Sequence, residues 1–255
     1  MNRIIVFALM FFCMTMQIEA QTLSEEEVTA KMYQAFELNK AAKKAEALEL
    51  FLIVGENTKQ QRNEGERQVY VCSQTMACQC YELLGRYKEG YLLGKSLLQG
   101  KLNDTERKDV GHLYAMNGYM YACEFIQRDE KGRADYKRGR ELISEILPYS
   151  DGQVKEYAET KIPLSWYFEG AQYAMTQSYD EALSSYEEAL NGFRDLGRVS
   201  EEVDVLSGIA SVKAHLCKFD EAKRVYYQAF VLAHQNGKVN KHLCAARSVL
   251  RRLMQ

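Results

Sequence analysis

Proline is nearly missing from this chain of 255 residues, which carries only Pro148 and Pro163. So few breakers over such a length favour helices, because proline interrupts the helical hydrogen-bond ladder. Net charge is also scarce. The 33 basic and 35 acidic residues leave a formal charge of -2 with the signs interspersed. No global field therefore recruits nucleic acid, and the pattern suits solvated helical surfaces. Signatures of chemistry are absent as well. The histidines His112, His215, His234 and His242 form no His-Glu-x-x-His or other close metal spacing. Paired Cys-x-x-Cys zinc spacing, a Gly-x-Ser-x-Gly elbow and a phosphate-cradling glycine loop do not occur. No catalytic residue, metal ligand or cofactor is assigned, and an enzyme is not expected.

Long apolar runs are limited to one, IIVFALMFFCMTM from Ile4 to Met16. It follows the positive Arg3 and precedes the polar Gln17-Ile18-Glu19 and the small Ala20. This is the order of a secretory signal peptide over residues 1–20, with a cut expected between Ala20 and Gln21. Thirteen residues fall short of the roughly 20 that a spanning helix needs. The expected location is periplasmic or secreted, with no stable membrane span after cleavage. Six cysteines then remain: Cys72, Cys78, Cys80, Cys123, Cys217 and Cys244. The first three lie on one expected helix, where spacings of two, six and eight keep the sulfurs apart. The cysteines read as small buried apolar residues. Pairing among Cys123, Cys217 and Cys244 stays open.

What the chain does have is an internal repeat. In WYFEGAQYAMTQSYDEALSSYEEA, apolar or small residues fall at Trp166, Gly170 and Tyr173, then at Tyr179, Ala182, Tyr186 and Ala189. Spacings of four and three mark one face of each of two helices, broken near 176–178. Forty residues on, Leu206, Ala210, Phe219, Ala222, Tyr226 and Ala229 repeat the pattern, with Lys213 in the place of Tyr173. A further copy holds Cys78, Tyr81, Tyr87, Gly90, Gly94 and Leu97, and a weaker one Ala35, Leu38, Ala47, Phe51 and Val54. A distorted copy has Tyr114, Gly118 and Tyr121 on its first helix. Its second helix, expected over about 133–147, is displaced by the insertion IQRDEKGRAD. Ser24 with Glu27 reads as a capping box, Asn103 with Glu106 as similar geometry, and Ser200 as another helix start.

The order Trp-x-x-x-Gly-x-x-Tyr, Tyr-Asp-Glu-Ala-Leu, Tyr-x-x-Ala-Leu resembles the tetratricopeptide repeat (TPR). The anchors Ala47, Gly90, Gly139, Ala182 and Ala222 stand 43, 49, 43 and 40 residues apart, longer than the usual period of about 34. The whole chain is similar to the extracytoplasmic repeat regions of Bacteroidetes-type sensor histidine kinases. The resemblance implies an all-α, right-handed superhelical solenoid of about five helical hairpins over residues 21–240. A capping helix is expected over residues 241–255.

The resemblance also implies a concave partner-binding face on the first helix of each hairpin. Carried over, it comprises Phe36, Asn39, Gln79, Glu82, Tyr119, Tyr167, Ser211 and His215, with Met32, Thr75, Ala115, Ala122, Ala171, Ala174 and Ser207 among them. Aromatic and small residues there suit a peptide or protein ligand. The aromatic stripe has a second reading as core. The function expected is an exported protein-interaction module. The alternative is a sensory module related to the repeat-bearing sensor kinases, without membrane and kinase parts.

Overall fold

The computed structural model describes residues 23–127, 134–237 and 251. The expected signal peptide lies outside the described residues. So does the expected capping helix, Arg251 apart. Ten α-helices occur among the described residues. In chain order they are α1 (Glu25–Lys40), α2 (Lys44–Thr58), α3 (Glu64–Leu83), α4 (Tyr87–Leu98), α5 (Asp104–Ile126), α6 (Tyr136–Ile146), α7 (Gly152–Met175), α8 (Tyr179–Asp195), α9 (Val199–His215) and α10 (Phe219–Gln235). Taken in pairs they make five helical hairpins, and no strand occurs among the described residues. The chain divides into two compact units, one ending at Val110 and the other beginning at Gly111.

In the first unit, the Ser24 hydroxyl accepts from the Glu27 amide at 3.3 Å and Glu27 Oε2 accepts from the Ser24 amide at 2.8 Å, the reciprocal capping box of α1. Asn63 caps α3 by accepting from the Glu66 amide at 2.8 Å. Asn103 and Glu106 satisfy each other's backbone amides at 2.9 and 2.8 Å at the start of α5. The core gathers the apolar faces of α1, α2 and α3 around Ala35, Ala47, Phe51, Ala77 and Cys80, all at zero exposure. Arg67 of α3 binds Glu64 at 2.7 Å and Glu106 at 2.8 Å with its guanidinium mostly covered.

The connections explain why one sequence pattern recurs. Ala42, Gly85, Gln177 and Cys217 each adopt positive φ between paired helices, at +60, +70, +63 and +58°. The following amide in each case donates back to the helix: Lys43 to Leu38, Arg86 to Tyr81, Ser178 to Tyr173 and Lys218 to Lys213. This is the six-to-one Schellman closure, which satisfies orphan carbonyls at a helix end. The same closure, through Gly197 at +64° and the Arg198 amide on Phe193, starts α9. That corrects the expected start at Ser200: α9 begins at Val199 with no side-chain cap, because the preceding turn already fixes the chain direction.

In the second unit each hairpin closes over small residues. A Cβ on Gly139 of α6 would stand 2.5 Å from Ile126 of α5. The ring of Tyr186 on α8 is held between two glycines, since a Cβ on Gly170 of α7 or Gly208 of α9 would meet it at 2.8 or 2.9 Å. Pro163 lies inside α7, buried against Gly192 of α8. The helix after the insertion is shorter than expected. It runs Tyr136–Ile146 and passes into a 3-10 turn, Leu147–Tyr149, because Pro148 cannot donate to a continuing α-helix. The cysteines are only partly as expected. Cys78, Cys80 and Cys123 are buried, whereas Cys72 and Cys217 are exposed, and these five form no disulfide with one another. Cys72 lies on the solvent side of α3 and Cys217 in an αL turn, positions that no helical face buries.

Candidate partner-binding face

The residues carried over from the repeat pattern fall into different environments. In the first unit, Phe36 packs edge-on against Phe51 of the paired helix at 5.5 Å. Asn39 accepts from Lys44 Nζ at 2.6 Å through its side chain and its carbonyl, and so ties the α1–α2 turn. Glu82 is half-buried and Gln79 exposed on α3. In the second unit, Ser211 is half-buried on α9, and His215 is exposed and stacked on Tyr179 at 5.8 Å. Tyr167 is half-buried, 5.8 Å from the Tyr186 ring. Burial pushes its phenol up to about 12, and the Asp204 charge adds to the shift. Ala115, Ala122 and Ser207 are fully enclosed, so they offer no surface.

Tyr119 has a different setting. Its ring stacks on Tyr157 of α7 at 6.2 Å. Burial first, then the neighbouring Cys123, raises its phenol well above the ordinary tyrosine range. Tyr157 itself is 52% exposed, and from it an unexpected stripe runs along α7. The residues are Tyr157, Lys161, Leu164, Phe168, Ala171 and Met175, at alternating spacings of four and three. That alternation keeps them on one face for about 27 Å at 1.5 Å per residue. The face lies opposite the one that Gly170 and Pro163 turn to α8. Phe168 and Met175 remain 39 and 75% exposed. Ser165 and Glu169 meet Arg140 of α6, while Leu164, Tyr167, Ala171 and Ala174 pack against the core shared with α8 and α9, so the open side chains of the stripe are Tyr157, Phe168 and Met175.

Sequence reasoning missed Tyr157, Phe168 and Met175. Carrying over positions from shorter repeats gave Tyr167, Ala171 and Ala174, all of which pack against the core. The signal that could have found the stripe was the unbroken four-three spacing over the whole of α7, a helix of 24 residues. Among the described residues no cluster of His, Cys, Asp or Glu is arranged to hold a metal ion, and no helix is long and apolar enough to cross a membrane. A separate cleft of about 500 Å³ lies in the first unit between the starts of α1 and α3 and the end of α2. Its Ser24, Asn63 and Glu66 serve as helix caps, and its Asn57 accepts from the Leu23 amide.

The helices and their turns define an all-α helical-repeat protein. No protein-family model and no curated protein matches the chain. Solved structures similar to it include the apo form of RapI, at 14% identity and TM-score 0.34 over 83% of this chain and 72% of that one. A thermophilic TPR protein of Thermus thermophilus is 17% identical with a TM-score of 0.33, over 88% of this chain and 98% of its own. TPR-like repeats of a Podosopora anserina kinesin light chain share 14% identity and a TM-score of 0.34, over 82 and 96%.

Proposed function

We propose that this chain is an exported protein-interaction module of the TPR kind, and that a peptide or protein partner docks on the exposed stripe of α7. The observation that carries the reading is the run of Tyr157, Phe168 and Met175, left open on a helix whose other faces are packed. Large apolar side chains left in solvent on one helix face are candidates for an interaction surface. Aromatic residues there supply rigid contact area. Ser211, half-buried, and His215, exposed, offer further surface on α9. Tyr119 supports it from α5 by holding Tyr157. Export is supported by the order of charged, apolar and small residues over positions 1–20. The partner class is protein, with no role for nucleic acid, cofactor or metal.

The test is site-specific. A photo-crosslinking residue at position 168 or 175 should capture the partner, and one at Tyr227 on α10 should not. Phe168→Asp should weaken binding by about thirtyfold or more, the loss of one interface hot spot, with its melting curve unchanged. A folded Phe168→Asp variant that binds as tightly as before would remove α7 from the interface.

A further inference from the structure

The two signs of charge are interspersed along the chain as far as Glu221 and then separate. Residues 222–255 hold seven Lys and Arg and no Asp or Glu. Lys223 and Arg224 are on α10, and Lys238, Lys241, Arg247, Arg251 and Arg252 follow it. Of those that follow, only Arg251 is among the described residues, where it is helical and exposed. The last acid before the stretch is Glu221. Lys218 and Arg224 act on it electrostatically, but Lys213 Nζ holds its carboxylate at 2.6 Å. Lys223 and Arg224 are exposed and have no ion pair among the described residues.

The same helix exposes aromatic rings beside these cations. Lys223, Tyr227, Phe230 and His234 follow at spacings of four, three and four, which sets them on one face. Tyr227 and Phe230 are 66 and 42% exposed, and Lys223 and His234 are exposed as well. Phe230 stacks on Tyr226 at 6.5 Å and on His234 at 6.1 Å. The side of α10 that carries Ala222, Ala229 and Ala233 is at zero exposure and holds the helix in the core. Forty residues earlier, on α8, the places of Tyr227 and Phe230 are taken by Glu187 and the buried Leu190. The repeat itself therefore does not call for two exposed rings.

We propose that this end of the chain binds the surface of an anionic phospholipid membrane, with Tyr227 and Phe230 entering the headgroup layer and the cations from Lys223 to Arg252 meeting the phosphates. The proposal goes beyond partner docking on α7 and does not depend on it. Two arguments identify the occupant. Cations spread from 223 to 252 with no intervening acid match a continuous plane of anionic headgroups better than one discrete anion. Large rings exposed among cations suit the membrane–water interface, which takes up their apolar atoms, whereas an acidic polymer would meet the cations and leave Phe230 in water.

The test is flotation of the mature chain with vesicles of phosphatidylcholine alone or with 30% phosphatidylglycerol. The chain should float with the anionic vesicles in 0.1 M salt and largely release them in 0.5 M. Lys223→Gln with Arg224→Gln should weaken partitioning by about thirtyfold, each cation near an anionic surface contributing about fivefold. Tyr227→Ser should weaken it severalfold. Lys40→Gln with Lys59→Gln, an equal loss of charge in the first unit, should leave it within about twofold, and so should Phe168→Asp on α7. Melting curves confirm that each variant is folded. No flotation with anionic vesicles would overturn the proposal, and capture by oligoglutamate or heparin instead would assign the face to an acidic polymer. An equal loss in the first-unit control would reduce the effect to net charge and remove α10 from it. Unchanged flotation of Tyr227→Ser would take the ring out of the headgroup layer and overturn the mode of binding proposed.

Discussion

The guanidinium of Arg140 lies over the indole of Trp166, with its central carbon 3.4 Å from the ring centroid. Its amino groups reach Glu169 Oε2 at 2.9 Å and Ser165 Oγ at 3.3 Å. The contact joins the helix displaced by the insertion to the next hairpin. On the same helix Leu142, Ile143 and Ile146 are fully buried.

Arg140→Ala should therefore destabilise the second unit by about 3 kcal/mol, since removing one partner strands the mostly covered Glu169. Arg140→Lys should recover only part of this, because an ammonium can neither stack nor fork. Chemical unfolding followed by circular dichroism checks both. Equal stability of Arg140→Ala and wild type would show that the stack contributes nothing.

Gly170→Leu should cost roughly 1–3 kcal/mol through overpacking against Tyr186, which Gly208 confines from its other side. The control, Glu188→Ala on the exposed side of α8, should stay within about 0.5 kcal/mol. Urea midpoints decide the comparison. An unchanged midpoint for Gly170→Leu would refute the close approach of α7 and α8.

Glu106 gives a pH prediction. The hydrogen bond from Arg67 holds its carboxyl below the ordinary value of 4.5, with the Asn103 amide adding to the effect. A carboxyl lowered on folding contributes stability above its unfolded pKa and loses it as pH falls through the folded value. Stability of the wild type should thus decline below about pH 4.5. Glu106→Gln should be less stable at neutral pH and decline less steeply on acidification. Melting temperatures from pH 3 to 7 measure the two slopes. Identical slopes would mean that Glu106 is not held by Arg67.

The sequence by itself determined the repeat. Small residues at Ala47, Gly90, Gly139, Ala182 and Ala222 recur because each is the point where one helix crosses its partner, and all five are buried. The caps at Ser24 and Asn103 were legible for a similar reason, as both act over three residues and depend on nothing distant. The start of α9 was not, because the turn at Gly197 sets it and Ser200 has no part in it. The binding face divides the same way. Helical period places Tyr167 and Phe168 one step apart, about 100° around the axis. Only packing decides which is covered. Tyr167 meets Tyr186 and the α9 core, while Phe168 meets solvent. Nor can it be read from composition that Lys161 has no ion pair among the described residues, since α7 carries more acid than base. It arises because Arg140 of α6, Lys155 of α7 itself and Arg198 of the turn before α9 reach those carboxylates. An ion pair is a matter of a few ångströms in three dimensions, and that distance exists only after the hairpins have packed.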